Sequence, residues 1–234
     1  MGGWQNKGIE KISKSTCKFT KTNSIDNALV DFGVCCYGDH QIMIAGGFVG
    51  YKEPTNRCFV YDSVKNELKA IKSLNRRRGS TCLVNVGNNF YCVGGETTGG
   101  ALLSSIEIYR VETDTWEIVD AELKAARRDH KAVAHGNSVV IIGGSNGDGE
   151  AELSIEIFNT GNNRVVAMES YLSVGRMNFA CCKISDDIYV MGGRDSSYSA
   201  VNTVEVLNVT DETIQTKGGL PYTDYGLSAC VLYK

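Results

Sequence analysis

Two adjacent glycines recur in phase five times along the chain, starting at Gly2, Gly46, Gly94, Gly143 and Gly192, at spacings of 44, 48, 49 and 49 residues. A period of this length describes one supersecondary unit copied along the chain. Such a unit cannot cover both of its faces alone, so its copies must stack on one another. Each later glycine pair follows an apolar run: Ile42–Ala45, Phe90–Val93, Val139–Ile142 and Ile188–Met191. Twelve residues after the second glycine of three pairs stands a glutamate inside a second apolar run, at Glu107, Glu156 and Glu205. Seven residues beyond the aromatic or apolar residue of that run comes a large apolar one, pairing Tyr109 with Trp116, Tyr61 with Leu68, Phe158 with Val165, Leu207 with Ile214 and Ile12 with Phe19. Fifteen or sixteen residues before the glycine pairs stand Arg78, Arg128 and Arg176.

The runs are short, β-branched or aromatic, and separated by turn chemistry such as Asn146-Gly147-Asp148-Gly149. Each repeat therefore reads as four strands, the second ending at the glycine pair and the third carrying the glutamate. With 26 Gly but only 2 Pro in 234 residues, the composition is that of tight turns, not of a disordered chain. A formal net charge of -3 gives no basic footprint for nucleic acid, and no apolar run reaches the ~18 residues of a membrane span. The nine cysteines are an odd number and lie in apolar runs, as at Cys35-Cys36 and Cys181-Cys182. They read as reduced core residues of a cytoplasmic protein.

The double glycine after an apolar strand and the Tyr109-to-Trp116 spacing resemble the kelch repeat, and the resemblance covers the whole chain. It implies one all-β domain over residues 1–234, a β-propeller of four-stranded blades with about five repeats. The repeats start near Gly2, Gly46, Gly94, Gly143 and Gly192. The head of the chain would supply strands three and four of a composite blade, and the tail from Tyr225 to Tyr233 its strand one. The join is short by most of one strand, so the composite blade has three strands or the domain begins upstream of Met1. Trp116 is expected to wedge between blades.

The three in-phase arginines admit two readings. Their guanidinium forks could converge on an anionic ligand near the axis, or each could pair inside its blade with an in-phase glutamate among Glu10, Glu107, Glu156 and Glu205. In kelch adaptors the partner sits on the loops joining strand two to three and strand four to the next strand one. That resemblance implies partner contacts from Arg78, Arg128, Arg176, Arg77, Arg194, Trp4, Phe48 and Tyr51, with Asp31 and Tyr225 at the arginine position of the other repeats. Of the three histidines, His40 and His135 fall in turns on the opposite face and His130 is expected near the pocket. No zinc-ligand spacing or nucleophile elbow occurs, so neither cofactor nor catalysis is expected. The implied role is a monomeric interaction module that reads an acidic partner segment, as in the substrate-reading kelch adaptors of ubiquitin ligases. The alternatives are a sugar-acid enzyme of the kelch epimerase or oxidase type, or an actin-binding scaffold.

Overall fold

The structure, a computed structural model, describes residues 8–12, 19–24, 28–50 and 53–229. Four antiparallel four-stranded sheets follow one another along the chain, each with its strands in sequence order. The first blade comprises Gly33–Tyr37, Gln41–Ala45, Cys58–Asp62 and Glu67–Ile71. The second comprises Cys82–Val86, Asn89–Val93, Ser105–Arg110 and Thr115–Glu122. Lys131–His135, Ser138–Ile142, Ile155–Asn159 and Arg164–Ala167 form the third. Ala180–Ile184, Asp187–Met191, Thr203–Asn208 and Thr213–Gly219 form the fourth. A hairpin of Gly8–Ile12 and Phe19–Ser24 occupies the register expected for strands three and four of a composite blade, and its second strand lies beside Glu67–Ile71. Residues 221–229 form no strand, and the rest of the segment expected to complete that blade lies outside the described residues. The architecture is a β-propeller, all-β as the repeat implies. Among the described residues the sole helical element is the 3-10 turn Thr98–Gly100, and no helix is long and apolar enough to cross a membrane.

The sheets hold together face to face. Strand two is covered by its sheet neighbours and by the adjoining blades, so Val139 to Ile142 are all fully buried, as are Met43 to Ala45. One apolar cluster joins Val84, Tyr91 and Ile106 of the second blade to Val139, Ile141 and Phe158 of the third. Another joins Val140, Ile142 and Ile155 of the third to Phe179, Ile188 and Leu207 of the fourth. Between the first two blades Trp116 is the wedge expected of it. It is 7% exposed and packs in the cluster with Met43, Cys58 and Leu74, and its indole N–H donates to the Lys72 carbonyl at 3.0 Å. The glycine pairs are required by conformation and by space. Gly94 and Gly95 have φ of 57° and 98°, and a Cβ on Gly95 would sit 2.6 Å from the Gly79 carbonyl of the preceding loop.

A candidate partner-binding mouth above buried arginine cages

Two of the three in-phase arginines, Arg78 and Arg176, are structural. Arg78 and Arg176 are wholly buried and each reaches a glutamate of the adjoining blade. Arg78 Nη1 donates to the carbonyls of Gly94 (3.0 Å) and Ser105 (2.7 Å), Nη2 to Ser105 Oγ (3.0 Å), and Nε to Glu107 (3.1 Å). Arg176 reaches the equivalent partners Gly192, Thr203 and Glu205, with Nη2 bonding the glutamate and Nε donating to the Val174 carbonyl. In the third copy the cage is filled by Arg127, not Arg128: it bonds Gly143, Ser154 and Glu156 and is itself fully buried. The glutamates also cap the incoming loop, Glu107 accepting the Asn75 and Arg76 amides and Glu156 those of Lys124 and Ala125. The expectation that Arg78 and Arg176 touch a partner is thereby corrected, since every donor of these guanidinium groups is turned into the blade wall. The first blade dispenses with the pair. Its equivalent positions hold Leu29 and Phe59, which pack together with Ile44.

Two residues beyond each caged position the backbone turns left-handed. Ser80, Asp129, Asn178 and Gly226 have φ of 46°, 56°, 53° and 70°, and Asp31 of the first repeat has 51°. Asp129, Asn178 and Gly226 each donate their amide to the carbonyl of the equivalent residue one blade back, at 3.2, 3.2 and 2.7 Å. Blade after blade, this chain of amides brings the same position to the axis. Asn and Asp tolerate the left-handed region better than most side chains. The residue after three of the glycine pairs forms the second tier, as Phe48, Glu96 and Arg194, whereas Ser145 after the Gly143-Gly144 pair is buried. Apart from Gly226 and Ser145, these positions line a cavity of about 740 Å³, which also takes in Val30, Gly50, Gly99, Gly100, Arg128 and Tyr225.

The mouth carries two guanidinium groups and three carboxylates. Arg128, whose side chain is 37% exposed where that of Arg127 is 0%, pairs with Glu96 and lies 3.8 Å from Asp129. Arg194 is held over the rings of Tyr198 (4.9 Å) and Tyr225 (5.6 Å). The Asn178 amide bridges it to the next carboxylate, with the oxygen accepting from Arg194 Nη2 and the nitrogen donating to Asp129 Oδ1, both at 3.1 Å. Burial pushes the Asp129 carboxyl up, against the pull of the Ser80 hydroxyl and of Arg128 and Arg194. Asp31 is raised too, by burial and by the Asp129 charge.

Of the other expected contacts, Tyr225 and Asp31 line the mouth. Phe48 also lines it but is largely buried over Gly79, where a Cβ would run into the ring. Arg77 lies outside the lining and bonds the Pro54 carbonyl at 3.3 Å. Trp4 and Tyr51 lie outside the described residues. Sequence reasoning put Glu96, Asp129 and Asn178 in the loops of the partner face without singling them out as contacts, and passed over Ser80. Their signal was their fixed offset from the caged arginine or the glycine pair.

His130 is not at the mouth, contrary to expectation. It follows the left-handed residue into the interior, is 2% exposed, and neither ring nitrogen has a hydrogen-bond partner of ordinary geometry. Burial, helped by Arg127 and Lys131, pushes its pKa down to about 3, the Val93 backbone pulling weakly the other way. The folded state therefore refuses a proton that the unfolded chain accepts below about pH 6.5. Stability attributable to this group is lost as pH falls from about 6.5 toward 3, by up to about 1.4 kcal/mol per pH unit. The fourth blade has Phe179 at the equivalent position, fully buried. We expect His130→Phe to raise stability by about 1–2 kcal/mol at neutral pH, because two unpaired buried nitrogens are removed, and the gain to grow at pH 5. Urea denaturation at the two pH values checks this, and parallel losses in both proteins would refute it. Seven cysteines among the described residues carry thiols, and burial pushes those of Cys82 and Cys92 up to about 11, away from the reactive thiolate.

Stacked four-stranded sheets built on a repeated arginine–glutamate cage, with the loops of one face opening a mouth at the axis, define a kelch-repeat β-propeller. The model of the KLHDC2/KLHL20/DRC7 Kelch-repeats domain matches residues 79–234, two thirds of the chain. The chain belongs to that family. It is also similar to an F-box/kelch-repeat protein of Arabidopsis thaliana, with 27% identity over 107 residues, which is 42% of this chain and 28% of that protein. The chain thus matches well under half the length of this relative. Among solved structures it resembles that of YjhT, with a TM-score of 0.74 and 13% identity, over 84% of this chain and 67% of the other.

Proposed function

We propose that the chain is a non-catalytic interaction module whose mouth takes up a short segment of a partner protein through an acidic side chain. The observation that carries this reading is Arg194. Two tyrosines and Asn178 fix its guanidinium at the wall of the cavity, and the tyrosines remain 60% and 55% exposed as contact surface. A positioned guanidinium flanked by aromatic rings is the kind of anchor that dominates interfaces. Glu96, Asp31 and Asp129 restrict the acidity that such a segment can bring, since a run of carboxylates would meet repulsion. An adaptor role in the cytoplasm, presenting a captured protein to a ubiquitin ligase, is the setting this reading favours, and the joining of kelch repeats to an F-box in the Arabidopsis relative supports it.

Selection from a displayed heptapeptide library tests the proposal. The wild type should enrich peptides containing Asp or Glu. Arg194→Ala should weaken the selected peptides at least tenfold, the loss of about 1.5 kcal/mol or more from a charge-assisted bond, with an unchanged melting temperature. Binding should also fall as salt rises. Failure to enrich any peptide, or equal binding by Arg194→Ala, would overturn it.

A further inference from the structure

The charges of the mouth are unevenly paired. Arg194 stands on the fourth-blade side, against Tyr198 and Tyr225. Asp31 and Asp129 project from equivalent left-handed positions of the ring at the axis. Arg128 stands close to Asp129 but spends its charge on Glu96, and its contact to Asp129 is the longer one, at 3.8 Å. Asp31 has neither an ion pair nor a hydrogen bond among the described residues. Among the described residues, Arg194 therefore touches no carboxylate directly and Asp31 touches no cation directly, although the Lys131 charge reaches Asp31 from beyond ion-pair distance. A carboxylate that sits beside a second carboxylate and touches no cation marks a place where a positive charge is favourable.

We infer that the mouth is a bipolar reader: it takes a segment in which a basic side chain lies against Asp31 and Asp129 while an acidic one lies against Arg194. A purely acidic ligand satisfies Arg194 and leaves the axial carboxylates opposed. A purely basic one leaves the clamped guanidinium without a counter-charge. A segment holding both signs a few residues apart satisfies each half without burying an unpaired charge. The cavity, at about 740 Å³, has room for two such side chains and the backbone between them. This inference rests on the interaction reading above and adds the chemistry that the mouth selects.

The same displayed heptapeptide library separates the two claims. The wild type should enrich peptides that combine Asp or Glu with Lys or Arg. The double variant Asp31→Asn/Asp129→Asn should bind those peptides at least tenfold more weakly and, on reselection, keep the acidic preference while losing the basic one. Asn suits this backbone, since Asn178 already occupies an equivalent position, and a melting curve verifies that the variant is folded. If wild-type peptides prove acidic without a basic residue and still depend on Arg194, the bipolar inference falls and the interaction reading stands. Undiminished binding by the double variant likewise overturns the inference. No enrichment at all overturns both.

Discussion

Arg78→Ala should destabilise the protein by about 3–5 kcal/mol, the range for removing one partner of a buried ion pair. The guanidinium donates to two carbonyls, one hydroxyl and one carboxylate, all of them on buried residues. Glu107 would remain as a buried charge holding only the Asn75 side chain and the amides of Asn75 and Arg76. Removing Glu107 as well does not restore what is lost, because those amides then lose their acceptor. The double variant Arg78→Ala/Glu107→Ala is accordingly expected to be no more stable than Arg78→Ala. Chemical denaturation of the wild type, Arg78→Ala and the double variant measures this. A loss below about 1 kcal/mol in Arg78→Ala would mean that the cage is not a structural element.

The second large effect is expected at the joint between the first two blades. Trp116→Ala removes the ring that packs on Met43, Cys58 and Leu74 and breaks the bond to the Lys72 carbonyl. The Tyr109 ring lies tilted against the indole at a centroid separation of 5.2 Å and cannot fill the space while its hydroxyl stays bonded to Asp114 at 2.7 Å. A rigid wall on both sides leaves a cavity, and the cost is about 3–5 kcal/mol. Against a net stability of roughly 5–15 kcal/mol this puts folding itself at risk. Trp116→Phe, which keeps most of the volume, should recover much of the loss. Equal stability of the Ala variant and the wild type would mean that the joint carries no load.

The fold was legible because its determinants repeat. A blade needs a buried strand two, a glycine pair that lets the next loop approach, and a fixed offset to the partner strand. These requirements recur at the same spacing whatever the function. The cage was half legible. Its arginine must stand sixteen residues before a glycine carbonyl and twenty-nine before a glutamate, as Arg78, Arg127 and Arg176 do. The third copy offers two adjacent arginines, and choosing Arg128 at fifteen residues shifted the register by one. That shift confused a buried structural group with its neighbour at the mouth. The mouth itself was the least legible. Asp31, Ser80, Asp129, Asn178 and Gly226 share a backbone conformation and a place at the axis, yet their side chains differ. Periodicity finds positions that repeat in chemistry, whereas a ligand is read by positions that repeat in geometry and diverge in chemistry. Arg194 and Tyr225 were found because they follow a glycine pair and a repeat boundary, where the chain has to surface.

The division between a structural cage and a recognition mouth is tested most directly by the melting temperatures of two neighbouring alanine variants. Arg127→Ala should lose about 3–5 kcal/mol, which for a domain of this size is roughly 6–20 °C. Arg128→Ala gives up only a half-exposed pair with Glu96, worth at most about 1 kcal/mol, and should melt within about 4 °C of the wild type. Equal shifts in the two variants, or a larger shift in Arg128→Ala, would contradict the account.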